Sequence, residues 1–162
     1  MKRIVSIGGY TLQEVESVIR DDDVLICYEP RDVYPNFYDG KFIHYRMLVD
    51  ARSKSDDILY IPKNHATASS MLKMKGVVDS FIYPVISFES VLRAHAPIDL
   101  LHMNCEGMET ILLESVSDIL CLASTMIIEF HGQKIDSTLE HVSKFFHCSK
   151  IGHQPKYRFV RK

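Results

Sequence analysis

Arg3-Ile4-Val5-Ser6-Ile7, closed by Gly8-Gly9, and Val24-Leu25-Ile26-Cys27-Tyr28, closed by Glu29-Pro30, are two short apolar runs flanking one amphipathic segment. Runs of this length bounded by Gly or Pro read as buried strands. Between them Thr11 and Glu14 make the S/T-x-x-E pattern of a capping box. Leu12, Val15 and Ile19 follow at helical spacing, and Asp21-Asp22-Asp23 reads as a solvated turn. Strand, glycine turn, amphipathic helix, strand is the opening of a parallel α/β sheet.

The rest of the chain continues that alternation. Lys41 to Val49 reads as a third strand, and Ile58 to Ile61 as a shorter, antiparallel one. A polar loop from Asn64 to Ser70 comes next. Ser87 is placed to cap a helix through His95, with Phe88, Val91 and Leu92 inward and Pro97 just past its end. Ile98 to Met103 is the next strand, and a helix starting near Gly107 shows Met108, Ile111 and Leu112 on one face. Thr125 to Phe130 forms another strand, and Ser137 with Glu140 repeats the capping-box pattern before Leu139, Val142 and Phe146. Lys150 to Val160 reads as a hairpin turning at Gln154-Pro155. The order predicts one α/β domain over residues 1–162, with a seven-stranded-type sheet of the class I (Rossmann-like) methyltransferase kind. That sheet is mostly parallel and ends in an antiparallel hairpin.

Composition excludes several functions. The 162 residues are 46% apolar and 25% charged with a net charge of -2, which is not the basic balance of a protein held to nucleic acid by phosphate contacts. No apolar run approaches the roughly 18 residues of a membrane span, and Ser6, Gly8 and Gly9 interrupt any signal-peptide core. Cys27, Cys105, Cys121 and Cys148 form no C-x-x-C pair, so free thiols in the cytoplasm are expected. The eight histidines show no metal-ligand spacing, and no metal is expected.

In open parallel sheets ligands sit beyond the carboxyl ends of the strands. That rule singles out Gly8 and Gly9, Glu29, Asp50, the Asn104 to Gly107 turn, and Glu129 to His131. Backbone N–H groups at the Gly8-Gly9 turn favour an anionic group, and Glu29 lies twenty residues after Gly9, the spacing of a ribose-binding carboxylate. The glycines serve equally as bare turn geometry, and Glu29 before Pro30 as a solvated strand end. A G-x-G-x-x-G fingerprint is absent, which argues against NAD.

Ile98-Asp99-Leu100-Leu101-His102-Met103-Asn104-Cys105-Glu106-Gly107-Met108-Glu109 resembles the I-D-L-L-K-I-D-V-E-G-x-E signature of FkbM-type methyltransferases. Ile127-Ile128-Glu129-Phe130-His131 is similar to that family's V-E-x-H strand, and Val85 to Leu92 to its T-L-D-D-F-L segment. Ala68-Ser69-Ser70-Met71 resembles its small-hydroxyl loop, and Ile26-Cys27-Tyr28-Glu29-Pro30 its A-F-E-P. These matches keep their order from residue 4 to about residue 131.

The resemblance implies an S-adenosylmethionine-dependent O-methyltransferase acting on a hydroxyl, of a sugar or glycan or another small molecule. Gly8, Gly9 and Tyr10 would then approach the methionine end of the cofactor, Glu29 its ribose, Asp50 its adenine side, and Asn104 the signature's cofactor-facing Asp position. Glu106 and His131, with Asn104, are the catalytic candidates. His131 has an ordinary pKa near neutrality, suited to taking a hydroxyl proton. Each has a structural alternative: Glu106 in the first turn of a helix, His131 as a satisfied histidine, and His102 as a partly exposed strand residue. The family's D-I-G-A-N-I-G-x-x-T is shortened here to Ser6-Ile7-Gly8-Gly9-Tyr10-Thr11, and its D-V-E-G carries Asn104. A catalytically inactive, methyltransferase-like binding or scaffold domain is the alternative those departures raise.

Overall fold

The computed structural model describes residues 1–8, 12–33, 38–62, 71, 77–132 and 135–162, with backbone alone for 13, 14, 62, 78 and 117. The main sheet consists of β1 (Arg3–Gly8), β2 (Val24–Tyr28), β3 (Lys41–Tyr45), β7 (Ile98–Asn104), β8 (Ala123–Glu129), β9 (Phe146–Lys150) and β10 (Lys156–Arg161). Between β3 and β7 the chain builds a second sheet from β4 (Leu48–Asp50), β5 (Asp56–Pro62) and β6 (Val77–Ser87). Helices α1 (Gln13–Glu16), α2 (Phe88–His95), α3 (Glu109–Ser115) and α4 (Ile135–Ser143) and a 3-10 turn, Ser117–Leu122, complete the described elements.

The main sheet has the order β3-β2-β1-β7-β8-β10-β9. Its first five strands are parallel neighbours, and β10 runs antiparallel to both β8 and β9. This is the mostly parallel class I methyltransferase sheet with a terminal antiparallel hairpin. The smaller sheet has the order β4-β6-β5.

Both faces of the main sheet are apolar, which is why its strands read as continuous runs rather than alternating ones. Val5, Ile7, Ile26, Leu101, Met103, Met126 and Ile128 pack with Phe88, Val91 and Leu92 of α2, Leu112 and Leu113 of α3, and Val142 of α4. Ile4, Leu25, Cys27, Leu100 and Ile127 face the other way, with Val15 of α1 and Leu12 at its start. At roughly 25 cal/mol per Å² of apolar surface, each fully buried Leu, Ile or Phe contributes about 1.5–3 kcal/mol.

Local chemistry explains where the elements depart from the sequence pattern. Ser87 caps α2 as expected, its Oγ accepting from Ser90 N at 3.1 Å. The first helix is one turn, not two, and starts after Leu12 (φ 53°) with no side-chain cap. Thr11 of the expected capping box lies outside the described residues, as do Gly9, Tyr10 and residues 64–70 of the polar loop. The triple-Asp turn is not wholly solvated: Asp23 is buried, its carboxylate accepting from Lys2 N at 2.6 Å and Arg20 N at 3.1 Å. The chain is thereby pulled back into β2 directly after a short helix.

The expected strand from Lys41 to Val49 divides at Arg46-Met47, so its two parts join different sheets. β6 was hidden by Pro84, which sits where pairing to β5 ends, opposite Asp56, just before pairing to β4 begins at Val85. Within α3 the inward residues are Leu112 and Leu113, while Ile111 is 42% exposed. α3 starts at Glu109 rather than near Gly107, which shifts the apolar stripe by one position. Ser137 lies inside the first turn of α4 instead of capping it, because the helix starts at Ile135. No described helix is long and apolar enough to cross a membrane.

Candidate functional site

Four adjacent strands, β2-β1-β7-β8, bring the sequence-selected residues to one edge of the sheet: Glu29, Gly8, Asn104 and Glu129, with His131 two residues further on. Gly8 has φ +69°, and a Cβ there would fall 2.8 Å from the Asn104 carbonyl carbon and closer still to its oxygen. Only glycine lets β1 end this near β7. Cys105 reinforces the contact, its Sγ lying 3.2 Å from the Ile7 carbonyl.

Glu29 is buried rather than solvated, and Arg31 is the reason. The Arg31 backbone N–H donates to Glu29 Oε1 at 3.1 Å and the guanidinium Nε to the same oxygen at 2.7 Å. Asp50, placed by sequence on the cofactor's adenine side, ends β4 in the smaller sheet. There its carboxylate takes Ala51 N at 2.6 Å and Lys54 Nζ at 2.5 Å. Lys54 also pairs with Asp57, so Asp50 belongs to a local ion-pair group. Asp50 thus ends a strand of the smaller sheet, whereas Glu29 follows a strand of the main one.

The turn between β7 and α3 builds a dense polar cluster. Glu106 (φ 50°) and Gly107 (φ 103°) are consecutive left-handed residues, a shape that needs support at the non-glycine position. Glu109 supplies it. This fully buried carboxylate accepts from Cys105 N at 2.7 Å and His131 Nδ1 at 3.2 Å through Oε1. Oε2 takes Gly107 N at 3.1 Å and His131 N at 3.3 Å. The first-turn acid of α3 is thus Glu109, while Glu106 stands in the turn before it.

With Nδ1 turned to Glu109, the His131 Nε2 looks towards Glu129 Oε1 at 3.6 Å and Glu106 Oε2 at 3.9 Å. The Glu109 hydrogen bond, aided by the charges of Glu109, Glu106 and Glu129, raises the imidazole pKa above its ordinary value against the opposing pull of burial. Burial, opposed by His131 and aided by Glu109 and Glu129, pushes the Glu106 carboxyl up as well. Asn104 Nδ2 donates to Glu129 Oε2 at 3.4 Å, while its Oδ1 is buried without a hydrogen-bond partner. Such an orphan acceptor at a strand end suits a donor from outside the chain.

The sequence matches no family model and no curated protein. A solved structure similar to the chain is that of M. capricolum TrmK in complex with the natural cofactor product S-adenosyl-homocysteine, at TM-score 0.42 and 13% identity. The likeness covers 98% of this chain, which spans 60% of that protein's.

Two buried positions correct or extend the sequence reading. His102 is fully buried instead of partly exposed, and its Nδ1 is 2.8 Å from Ser6 Oγ, directly across the β1–β7 ladder. Two of the positions where this chain differs from the FkbM-type pattern, Ser6 and His102, are therefore partners. Glu109 received no role from sequence, although it closes the E-G-x-E signature and is the first residue of its helix. Glu129 was selected as a strand end without its contact to Asn104.

Proposed function

We propose that the chain is an S-adenosylmethionine-dependent O-methyltransferase whose acceptor is a hydroxyl of a sugar or another polyhydroxyl small molecule. The observation that carries the reading is the His131–Glu109 pair beside the carboxyl ends of four parallel strands, with three carboxylates around one imidazole. The acceptor groups at those strand ends fit the cofactor chemically. Glu29 and the unpartnered Asn104 Oδ1 offer oxygens, and the cofactor presents hydrogen-bond donors in its ribose diol and ammonium group. S-adenosylmethionine supplies a methyl carbon on a positively charged sulfur, a charge that this acidic edge favours.

His131 is the base in this reading. Glu109 keeps the proton on Nδ1, so the Nε2 lone pair would take the proton of an acceptor hydroxyl; the cofactor, when bound, would supply the methyl group and leave as the neutral thioether S-adenosyl-homocysteine. Glu106 and Glu129 then stabilise the imidazolium formed. Transfer should accordingly rise with pH through the raised pKa of His131, since only the neutral ring accepts a proton.

Calorimetric titration with S-adenosylmethionine and S-adenosyl-homocysteine is the first test. Saturable binding that Glu29→Gln weakens and His131→Ala leaves nearly unchanged supports the reading. Absence of heat at millimolar ligand, with the protein folded, refutes it. Binding without methyl transfer to any polyol or glycan acceptor favours the inactive, scaffold-type alternative.

A further inference from the structure

We infer that the face of the main sheet opposite α2, α3 and α4 carries a second site, for a single anionic amphiphile: a carboxylate on an apolar body. The single turn α1 is the one helix that packs on this face among the described residues. Beside it lies a cavity of about 740 Å³, within the roughly 300–1,000 Å³ usual for small-ligand sites.

Its floor spans three strands and is apolar but for Thr125, beside Leu100. Ile4 pairs with Leu100 across β1 and β7, and Ile127 lies on the next strand, β8. Val18 and Ile151 add apolar walls from the turn after α1 and from the hairpin. The rim is cationic although the whole chain has a net charge of -2. Lys2, Lys156 and Arg158 line the cavity against one carboxylate, Asp99, which already accepts from Arg3 N at 2.7 Å. Arg158 stands opposite Ile127 in the β8–β10 ladder, which sets a guanidinium beside the apolar floor. Neither the Lys2 ammonium nor the Arg158 guanidinium pairs with a described residue.

Lys2 and Arg158, which pair with no described residue, beside a largely apolar floor favour a ligand that fills the floor with hydrocarbon and meets the rim with one negative charge. A cationic amphiphile would meet the same floor and the wrong rim. A nucleotide-like polyanion would leave the floor unfilled. The site lies on a sheet face rather than at the strand ends, so it stands independently of the proposed methyl transfer.

The probe is dodecanoate, titrated below its micellar concentration into the full chain by calorimetry and amide NMR. One molecule should bind per chain, with shifts concentrated at Ile4, Leu100 and Ile127. Dodecyltrimethylammonium should bind at least 10-fold more weakly, and the Lys2→Glu/Arg158→Glu double variant should lose at least 10-fold in dodecanoate affinity with its NMR dispersion intact. Equal binding of the two amphiphiles, an unaffected double variant, or no binding at all would overturn the inference. So would self-association that Arg158→Glu abolishes in a chain that dodecanoate does not touch, since a second copy would then be the occupant.

Discussion

Replacing Glu109 by Gln removes one charge from the centre of the β7–α3 turn and changes little else in shape. The carboxylate accepts four N–H groups, two on each oxygen. A glutamine keeps one oxygen, so in either orientation its NH2 faces two N–H donors that lose their partner. An unsatisfied buried donor costs about 1–3 kcal/mol, so the total falls at roughly 3–5 kcal/mol, the range for breaking a buried charged network. For a domain of this size that is a fall in Tm of about 6–20 °C. Urea unfolding followed by circular dichroism measures it, with Glu106→Gln as comparator; the Glu106 side chain is 24% exposed against 1% for Glu109, and its variant should cost clearly less. The pH dependence carries a second signature. Because the folded pKa of His131 is raised, its share of stability is complete below the ordinary value of about 6.5 and fades as pH climbs through the raised one. The gap between wild type and Glu109→Gln should therefore narrow from pH 6 to pH 8. Equal costs for the two glutamine variants, or a gap that widens with pH, would refute this account of the turn.

Gly8→Ala should lose about 3–5 kcal/mol in thermal unfolding, because the left-handed φ and the Asn104 carbonyl both oppose a Cβ. Asn104→Asp sets a second carboxylate against Glu129, whose Oε2 now takes the Asn104 amide at 3.4 Å. One of the pair should titrate at a raised pKa, so the variant should be about 1–2 kcal/mol less stable than wild type at pH 8 and recover towards pH 5 in paired melts. Leu112→Ala should cost about 2–5 kcal/mol in chemical unfolding while Ile111→Ala costs under 1, the reverse of equal burial on one face.

The parallel sheet was legible because its strands are apolar on both faces and end in Gly, Glu-Pro or Asn. Ser87 announced its helix correctly because its cap is a strictly local contact with Ser90. The smaller sheet was not legible. β6 carries Pro84 and the polar pair Asp79-Ser80, and its pairing passes from β5 to β4 along its length, which no periodicity encodes. At the candidate site the strand ends singled out from sequence, Gly8, Glu29, Asn104 and Glu129, lie on adjacent strands, while the helix-dipole position was assigned to Glu106. The left-handed pair Glu106-Gly107 delays α3 and hands that place to Glu109. Partnerships such as Ser6 with His102 and Arg31 with Glu29 depend on ladder register and on the reach of one side chain.

The strand β10 lies inside the sheet, between β8 and β9, although it follows both of them in the sequence. β9, made earlier, has no ladder partner among the described residues until residues 156–161 arrive, so the order of synthesis and the order of assembly disagree at this edge. A chain cut after residue 150 would leave β8 and β9 as two open edges separated by one strand's width, with the Phe159 position in the core unfilled. Supplying the segment 156–161 as a separate peptide to such a chain should complete the sheet in trans, which makes β10 a natural place to split the protein into two complementing fragments.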